Sequence, residues 1–280
     1  MTLLLKAASE FLISQIADLL TRGFEGYLVP INIDESALLT MLRRDGIDLN
    51  ESRILLKDDE PIGAALIARR GWTSRLAAMG IVSQARNSGA GTWAMERLIE
   101  EARARNEKEM LLEVIEQNIA GVKLYEKVGF NKVRRLVGYK LENRLPAQAA
   151  VLGAENGLKE IDIRELARLV TYHGLKDLPW QLSGTTIMQH TPPSRAFALN
   201  DAYCLISSPE AEHVVIWSVL VKARSRGAGL SPVLMRAVFS RFPNKTWHVP
   251  ALYPEEMSTI FEELDMQREE ISQWQMALKL

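Results

Sequence analysis

The sequence has a single cysteine, Cys204, so no disulfide can form within the chain, and a reducing cytoplasm is the expected compartment. Cys204 stands in the apolar run Tyr203-Cys204-Leu205-Ile206, the setting of a small buried hydrophobe. Charge of one sign is also missing, since 34 basic side chains face 35 acidic ones. Residues 1–145 carry 21 basic and 20 acidic side chains, net +1, which leaves 13 and 15, net −2, for residues 146–280. Neither half has the basic surplus that a phosphate backbone demands, so nucleic acid is not an expected partner. No stretch approaches the roughly 20 apolar residues of a membrane helix. The opening Met1-Thr2-Leu3-Leu4-Leu5-Lys6 is too short an apolar run for a signal core. No membrane association is therefore expected. The four histidines, His173, His190, His213 and His248, have spacings that fit no compact metal motif, and no metal is expected.

What is present is an ordinary globular composition, 47% hydrophobic and 25% charged, over 280 residues, enough for two domains. Apolar residues at helical spacing run from Ser9 to Leu20, and Asp34 is placed to cap a second helix through Leu42. Strand patterns at 53–57, 62–69 and 76–82 are joined by short turns and so predict antiparallel hairpins. A glycine-rich segment, a helix to about Arg105, a strand at 110–114, a helix at 120–128 and a strand at 133–141 complete the first half. A segment with Pro146 and small residues then predicts a linker at 146–157. The same order of elements returns in 158–280, with a helix over 254–264 and a last strand over 272–280. The expected architecture is α/β, two domains at 1–145 and 158–280, each a mixed, mostly antiparallel sheet flanked by helices.

A repeat supports duplication. Ala85-Arg86-Asn87-Ser88-Gly89-Ala90-Gly91 aligns with Ala223-Arg224-Ser225-Arg226-Gly227-Ala228-Gly229 at an offset of 138, five of seven residues being identical. The first copy lies between a strand and a helix. The first N–H groups of a helix lack intrahelical acceptors, the helix dipole is positive there, and glycine lets an anion approach the backbone. Such a segment suits a pyrophosphate. It also fits a plain turn, and Gly89-x-Gly91-x-x-Ala94 followed by Glu113 fits a dinucleotide fingerprint. Against the fingerprint, Ser83–Ser88 separate the strand from the glycines, and the second copy has Pro232 at the third position.

The run Ile81-Val82-Ser83-Gln84-Ala85-Arg86-Asn87-Ser88-Gly89-Ala90-Gly91 resembles motif A of the GNAT acetyltransferases, with serine for the common proline. Leu112-Glu113-Val114 … Asn118-Ile119-Ala120 … Leu124-Tyr125-Glu126-Lys127-Val128-Gly129-Phe130 resembles a further segment of that superfamily, most like the ribosomal-protein alanine N-acetyltransferases. The resemblance spans about residues 50–142 and implies two tandem GNAT folds. It also implies acetyl-CoA as cosubstrate. The phosphates would meet Arg86, Asn87, Ser88, Gly89, Ala90, Gly91 and Thr92. The pantetheine would lie along Met79 and Ile81, and Asn118 and Tyr125 would flank the sulfur. Tyr125 is then the expected acid and Glu113 the expected base. Each has a plainer role open to it: Arg86 as a surface charge, Asn118 as a helix cap, Tyr125 as packing, Glu113 as an exposed strand residue. Phe24 and Tyr27 fall where the family places a substrate-gate loop, and packing accounts for them equally.

In the second copy Phe261 stands where the first has Tyr125, and a benzene ring has no proton to give. The expected function is acetyl transfer from acetyl-CoA to a primary amine, a small molecule or a peptide N-terminus, in the first domain. A non-catalytic CoA-binding or interaction protein and an enzyme using another acyl-CoA are the rivals.

Overall fold

The computed structural model describes residues 2–142 and 157–280, so the expected linker at 146–157 lies, but for Gly157, outside the described residues. By their contacts the residues form two compact units, Met1–Arg134 with Trp274–Leu280, and Arg135–Gln273. Unit 1 is not continuous in sequence, because it includes the strand segment Trp274–Leu280 from the far half of the chain.

Unit 1 begins with β1 (Leu3–Ala7) and helix α1 (Ile13–Gly23). α1 starts later than the apolar pattern from Ser9 predicts, since residues 8–10 form a separate 3-10 turn. Gln15 accepts the Leu12 N–H at its start, and Ile16, Ala17, Leu19 and Leu20 are buried along one face. Asp34 caps α2 (Glu35–Asp45) by accepting from Ala37 N–H at 2.7 Å, and left-handed Gly46 ends it. The hairpin strands are β2 (Ile47–Lys57), β3 (Glu60–Arg70) and β4 (Thr73–Ile81), antiparallel as expected. Asp58 and Asp59 join the first two with φ of 49° and 67°, the signs of a tight hairpin turn. Helix α3 (Ala90–Ala104) crosses to β5 (Glu109–Ile115), and α4 (Ile119–Lys127) follows. The unit's strand order is β1-β2-β3-β4-β5, and then the end of β12 (Gln267–Lys279). Met276 and Leu278 from that strand join Met95, Leu98, Met110 and Leu112 in one core.

Unit 2 has β7 (Lys159–Ile161), β8 (Arg195–Leu199), β9 (Ala202–Ile206), β10 (His213–Val221) and β11 (Thr246–Pro254) in spatial order. Beside β11 runs β6 (Asn131–Glu142), in antiparallel register from Thr246↔Glu142 to Pro254↔Leu136. The helices are α5 (Ile163–His173), α6 (Gly184–Ile187), α7 (Leu230–Arg241) and α8 (Thr259–Glu262). Val137 and Tyr139 of β6 sit in the unit's core with Phe197, Val214, Leu234 and Trp247. The helix expected over 254–264 shrinks to a 3-10 turn at Glu255–Met257 and the four residues of α8. β11 runs through Pro254 and the 3-10 turn takes the next three residues, so the apolar positions Ile260, Phe261 and Leu264 pack from a single short turn of helix and its end.

Candidate active site

In unit 1, β4 and β5 pair in parallel only from Thr73↔Glu109 to Leu76↔Leu112. Beyond that rung the strands part, leaving the β4 edge from Ala77 to Ile81 without a β5 partner. Met79 and Ile81 lie on this stretch, where the sequence places the pantetheine. The chain then makes a 3-10 turn at Ser83–Ala85 and enters α3 through Asn87, with φ 58°, and Gly89, with φ 86°. Two left-handed residues at alternate positions turn the N–H groups at the start of α3 outward. A Cβ on Gly89 would meet no atom within 4 Å, so it would stand in the open space in front of that helix end. Gly91 is packed closely, since a Cβ there would lie 3.3 Å from Ile81 Cδ1. The cradle fits a diphosphate through backbone groups of Ser88, Gly89, Ala90, Gly91 and Thr92. The Ser88 hydroxyl is turned inward and donates to Ala85 O at 2.7 Å.

Arg86 takes a different part from the phosphate contact expected of its side chain. Nε donates to Ile81 O at 2.9 Å, and Nη2 donates to Gly23 O at 3.0 Å and to Glu25 O at 2.8 Å. The guanidinium thus ties the phosphate loop to the end of α1 and to the loop after it. That loop is closed at its far end by Thr21, whose Oγ1 accepts from Ile33 N–H and donates to Ile33 O. Gly23 also lies directly on β4, because a Cβ on it would be 2.8 Å from Gly80 C. Neither Gly23 nor Gly80 stands out in the sequence, since the need for glycine comes from two backbones 57 residues apart.

The loop so held carries Phe24 and Tyr27, in edge contact at 5.3 Å. The Tyr27 hydroxyl accepts from Asn118 Nδ2 at 3.4 Å. Asn118 also caps α4, its Oδ1 accepting from Gly121 N–H at 3.0 Å. The cap leaves no room at Gly121, where a Cβ would lie 2.5 Å from Asn118 Nδ2. Tyr125 packs its edge on Phe130 at 6.0 Å. Burial lifts its pKa above the ordinary phenol range, and the neighbouring Tyr27 phenol adds to the shift. Burial likewise raises Tyr27, against the opposing Asn118 bond. The structure therefore brings Tyr27, Asn118 and Tyr125 together. Leu28 and Ile119, 49% and 58% exposed, give this region apolar surface open to solvent.

Glu113 does not join them as a free carboxylate. It is the first residue of β5 beyond the last rung, and Arg75 Nε and Nη2 both lie 2.7 Å from its Oε2. The side chains are 3% and 5% exposed, and Asp45 Oδ2 stands 3.8 Å from Arg75 Nη1. A carboxylate sealed against a guanidinium at the fork of two strands holds the fork together, so the base role expected of Glu113 is withdrawn. The sequence signal for Arg75 is a lone cation before the apolar end of a strand.

The same geometry recurs in unit 2, but at an offset of 140 rather than 138. β4 and β10 have equal length, and Ile81 matches Val221. The 3-10 turns match at 83–85 and 223–225, α3 and α7 start at Ala90 and Leu230, and left-handed Asn87 and Gly89 match Gly227 and Gly229. Arg86 therefore matches Arg226, which donates to His173 O at the end of α5 just as Arg86 does to Gly23 at the end of α1. Phe261 does stand in the place of Tyr125. Met266 N–H bonds Phe261 O as Phe130 N–H bonds Tyr125 O.

A forked parallel strand pair with an anion cradle at its mouth occupies the part of the chain, residues 14–130, that matches the model of the acetyltransferase (GNAT) family. Acyl transfer from acyl-CoA is that family's chemistry. A GCN5-related N-acetyltransferase from Sphaerobacter thermophilus is similar in structure over 99% of this chain and 95% of its own, with TM-score 0.70 and 15% identity. A tandem GNAT protein from the clavulanic acid biosynthesis pathway gives 0.66 and 16% over 99% and 98%, and a GCN5-related N-acetyltransferase from Kribbella flavida gives 0.63 and 15% over 100% and 71%. At these identities the likeness is one of fold, and it extends over both units. No match was found among curated proteins. Among the described residues no helix is long and apolar enough to cross a membrane.

Proposed function

We propose that unit 1 transfers acetyl from acetyl-CoA to a primary amine of a small molecule or a peptide N-terminus. The observation that carries this is the convergence of Tyr27, Asn118 and Tyr125 at the fork between β4 and β5, beside the cradle at Gly89. In this reading the diphosphate meets the N–H groups that open α3, and the pantetheine pairs with the free β4 edge at Met79 and Ile81. The amine nitrogen attacks the thioester carbon, a C–N bond forms and the C–S bond breaks. Tyr125, kept protonated by its raised pKa, donates to the departing thiolate. The ammonium proton leaves to water, since Glu113 is held by Arg75. Neither nucleic acid nor a membrane takes part, and the setting is the cytoplasm.

The test is calorimetry of acetyl-CoA binding to the full chain and its Gly89→Val variant. A branched side chain at φ 86° both strains the loop and fills the space in front of α3. Binding lost from a folded variant supports the reading. Unchanged affinity removes the cradle, and with it the assignment.

A further inference from the structure

The second unit keeps the parts of the cleft that hold a cofactor and alters those that face its acyl end. β10 and β11 pair in parallel only from His213↔Thr246 to Val215↔His248, so the β10 edge beyond is open as in unit 1. The entry to α7 repeats both left-handed positions. The loop is also more cationic. Lys222, Arg224 and Arg226 stand where unit 1 has Val82, Gln84 and Arg86, and Asp201 faces the first two at 3.1 and 3.0 Å. Next to this loop lies a cavity of about 250 Å³, lined by Leu178, Val219, Arg226, Tyr253, Glu256 and Met257 among others.

Tyr253 lines this cavity from β11. A register shift between Val249 and Tyr253, in the pairing of β11 with β6, brings it in. Its ring stands edge-on to Phe261 at 4.8 Å, and the side chain is 2% exposed. Its hydroxyl is turned to the Val219 backbone and, fully enclosed, makes no hydrogen bond of ordinary geometry. Val219 matches Met79 at the offset of 140, the one of the two pantetheine positions of unit 1 that lies farther along the strand from the cradle. Tyr253 thus places a phenol oxygen on the part of the edge that a pantetheine starting from the cradle reaches last.

We infer that the cleft of unit 2 is a second site for coenzyme A, one that takes the free thiol and excludes the acyl thioester. The diphosphate lies at the cationic loop before α7, the pantetheine runs along the open β10 edge into the cavity, and Tyr253 closes the last part of the cleft. This rests on the proposed reading of unit 1 for the direction in which the pantetheine lies. It accounts together for a retained cradle and a lost proton donor. A site that never holds a thioester has no use for Tyr125's equivalent.

The experiment is calorimetry of the full chain with CoA and, separately, with acetyl-CoA, on the parent and on Gly89→Val, Gly229→Val and Tyr253→Leu. The parent should bind two CoA and one acetyl-CoA. Gly229→Val, at a position with φ 68° and no atom within 4 Å of a Cβ, should lose one CoA and keep the acetyl-CoA. Gly89→Val should lose the acetyl-CoA and keep one CoA. Tyr253→Leu, if folded by circular dichroism, should bind a second acetyl-CoA. One CoA per parent chain, unaffected by Gly229→Val, overturns the second site while leaving unit 1 intact. Two acetyl-CoA per parent chain overturns the exclusion by Tyr253. If Gly89→Val changes nothing while Gly229→Val removes all binding, the reading of unit 1 falls, and with acetyl-CoA then bound in unit 2 the exclusion by Tyr253 falls too.

Discussion

Replacing Glu113 by glutamine takes the negative charge from an oxygen 2.7 Å from the Arg75 guanidinium and leaves that cation nearly sealed from water. Breaking a buried pair on one side typically costs 3–5 kcal/mol, because the remaining charge has lost both water and partner. Asp45 still faces Arg75 at 3.8 Å, so the loss here should fall near the low end, about 3 kcal/mol. For a unit of this size that corresponds to a fall in melting temperature of roughly 10 °C. The folded fraction should keep kcat within a few-fold, since the carboxylate touches no reacting atom. Removing both charges in Glu113→Leu with Arg75→Met should recover most of the stability, as buried pairs often tolerate apolar replacement. The assay is thermal unfolding followed by circular dichroism, with turnover measured by thiol release on a panel of amines. A Glu113→Gln protein with the parent melting temperature, a hundredfold lower kcat and a flattened acid limb would refute the structural reading and restore Glu113 as the base.

Tyr125→Phe keeps the ring against Phe130 and removes the donor, so kcat should fall by about 10²–10⁴ with little change in KM for acetyl-CoA, in steady-state kinetics. Arg86→Ala should free the loop after α1, so amide exchange over residues 24–33 should quicken, while CoA affinity falls far less than in Gly89→Val. Gly121→Ala should force Asn118 out of its place over Tyr27 and lower both stability and kcat, measured side by side. Glu107 is penalised by burial, but its bonds to Arg105, Ser74 and Arg69 outweigh that and hold its pKa below the ordinary carboxylate value. A depressed carboxylate stabilises the fold above the unfolded pKa, so unit 1 should lose stability as pH falls below about 4. A urea midpoint that does not fall between pH 5 and 3 would contradict this.

The alternation of strands and helices, and the glycine loop, were legible because each rests on neighbours in the chain. Asp34 and Asn118 announce their caps within three residues, and both caps are present. The repeat was legible too, but its register was not. Matching letters favours laying Gly89 and Gly91 over Gly227 and Gly229, whereas the backbone repeats its left-handed positions, which are Asn87 and Gly89 in the first unit. Asparagine tolerates that region well enough to hide the equivalence. Arg86 and Glu113 show the other limit. Arg86 reaches two backbone carbonyls about 60 residues away besides that of Ile81, and Glu113 a cation 38 residues away, and nothing local betrays these distant partners. Tyr253 stayed unseen because only a shift in strand register turns it into the cleft.

The late strand segment of unit 1 bears on how the chain is made. Unit 1 has all of its helices once residue 134 is synthesised, yet the segment that carries Met276 and Leu278 of its core begins 140 residues later, counted from 134 to 274. At about 5–20 residues per second the nascent chain waits roughly 7–28 s with the flank of β5 uncovered. Most proteins let an early domain settle while the next is translated. Here unit 1 cannot finish until all of unit 2 has been built, so the newly made half carries an open, apolar strand edge for the whole of that interval, the condition under which chains pair with the wrong neighbour. Slowing translation of the second half should therefore lower the yield of folded protein, and a chaperone that shields strand edges should restore it.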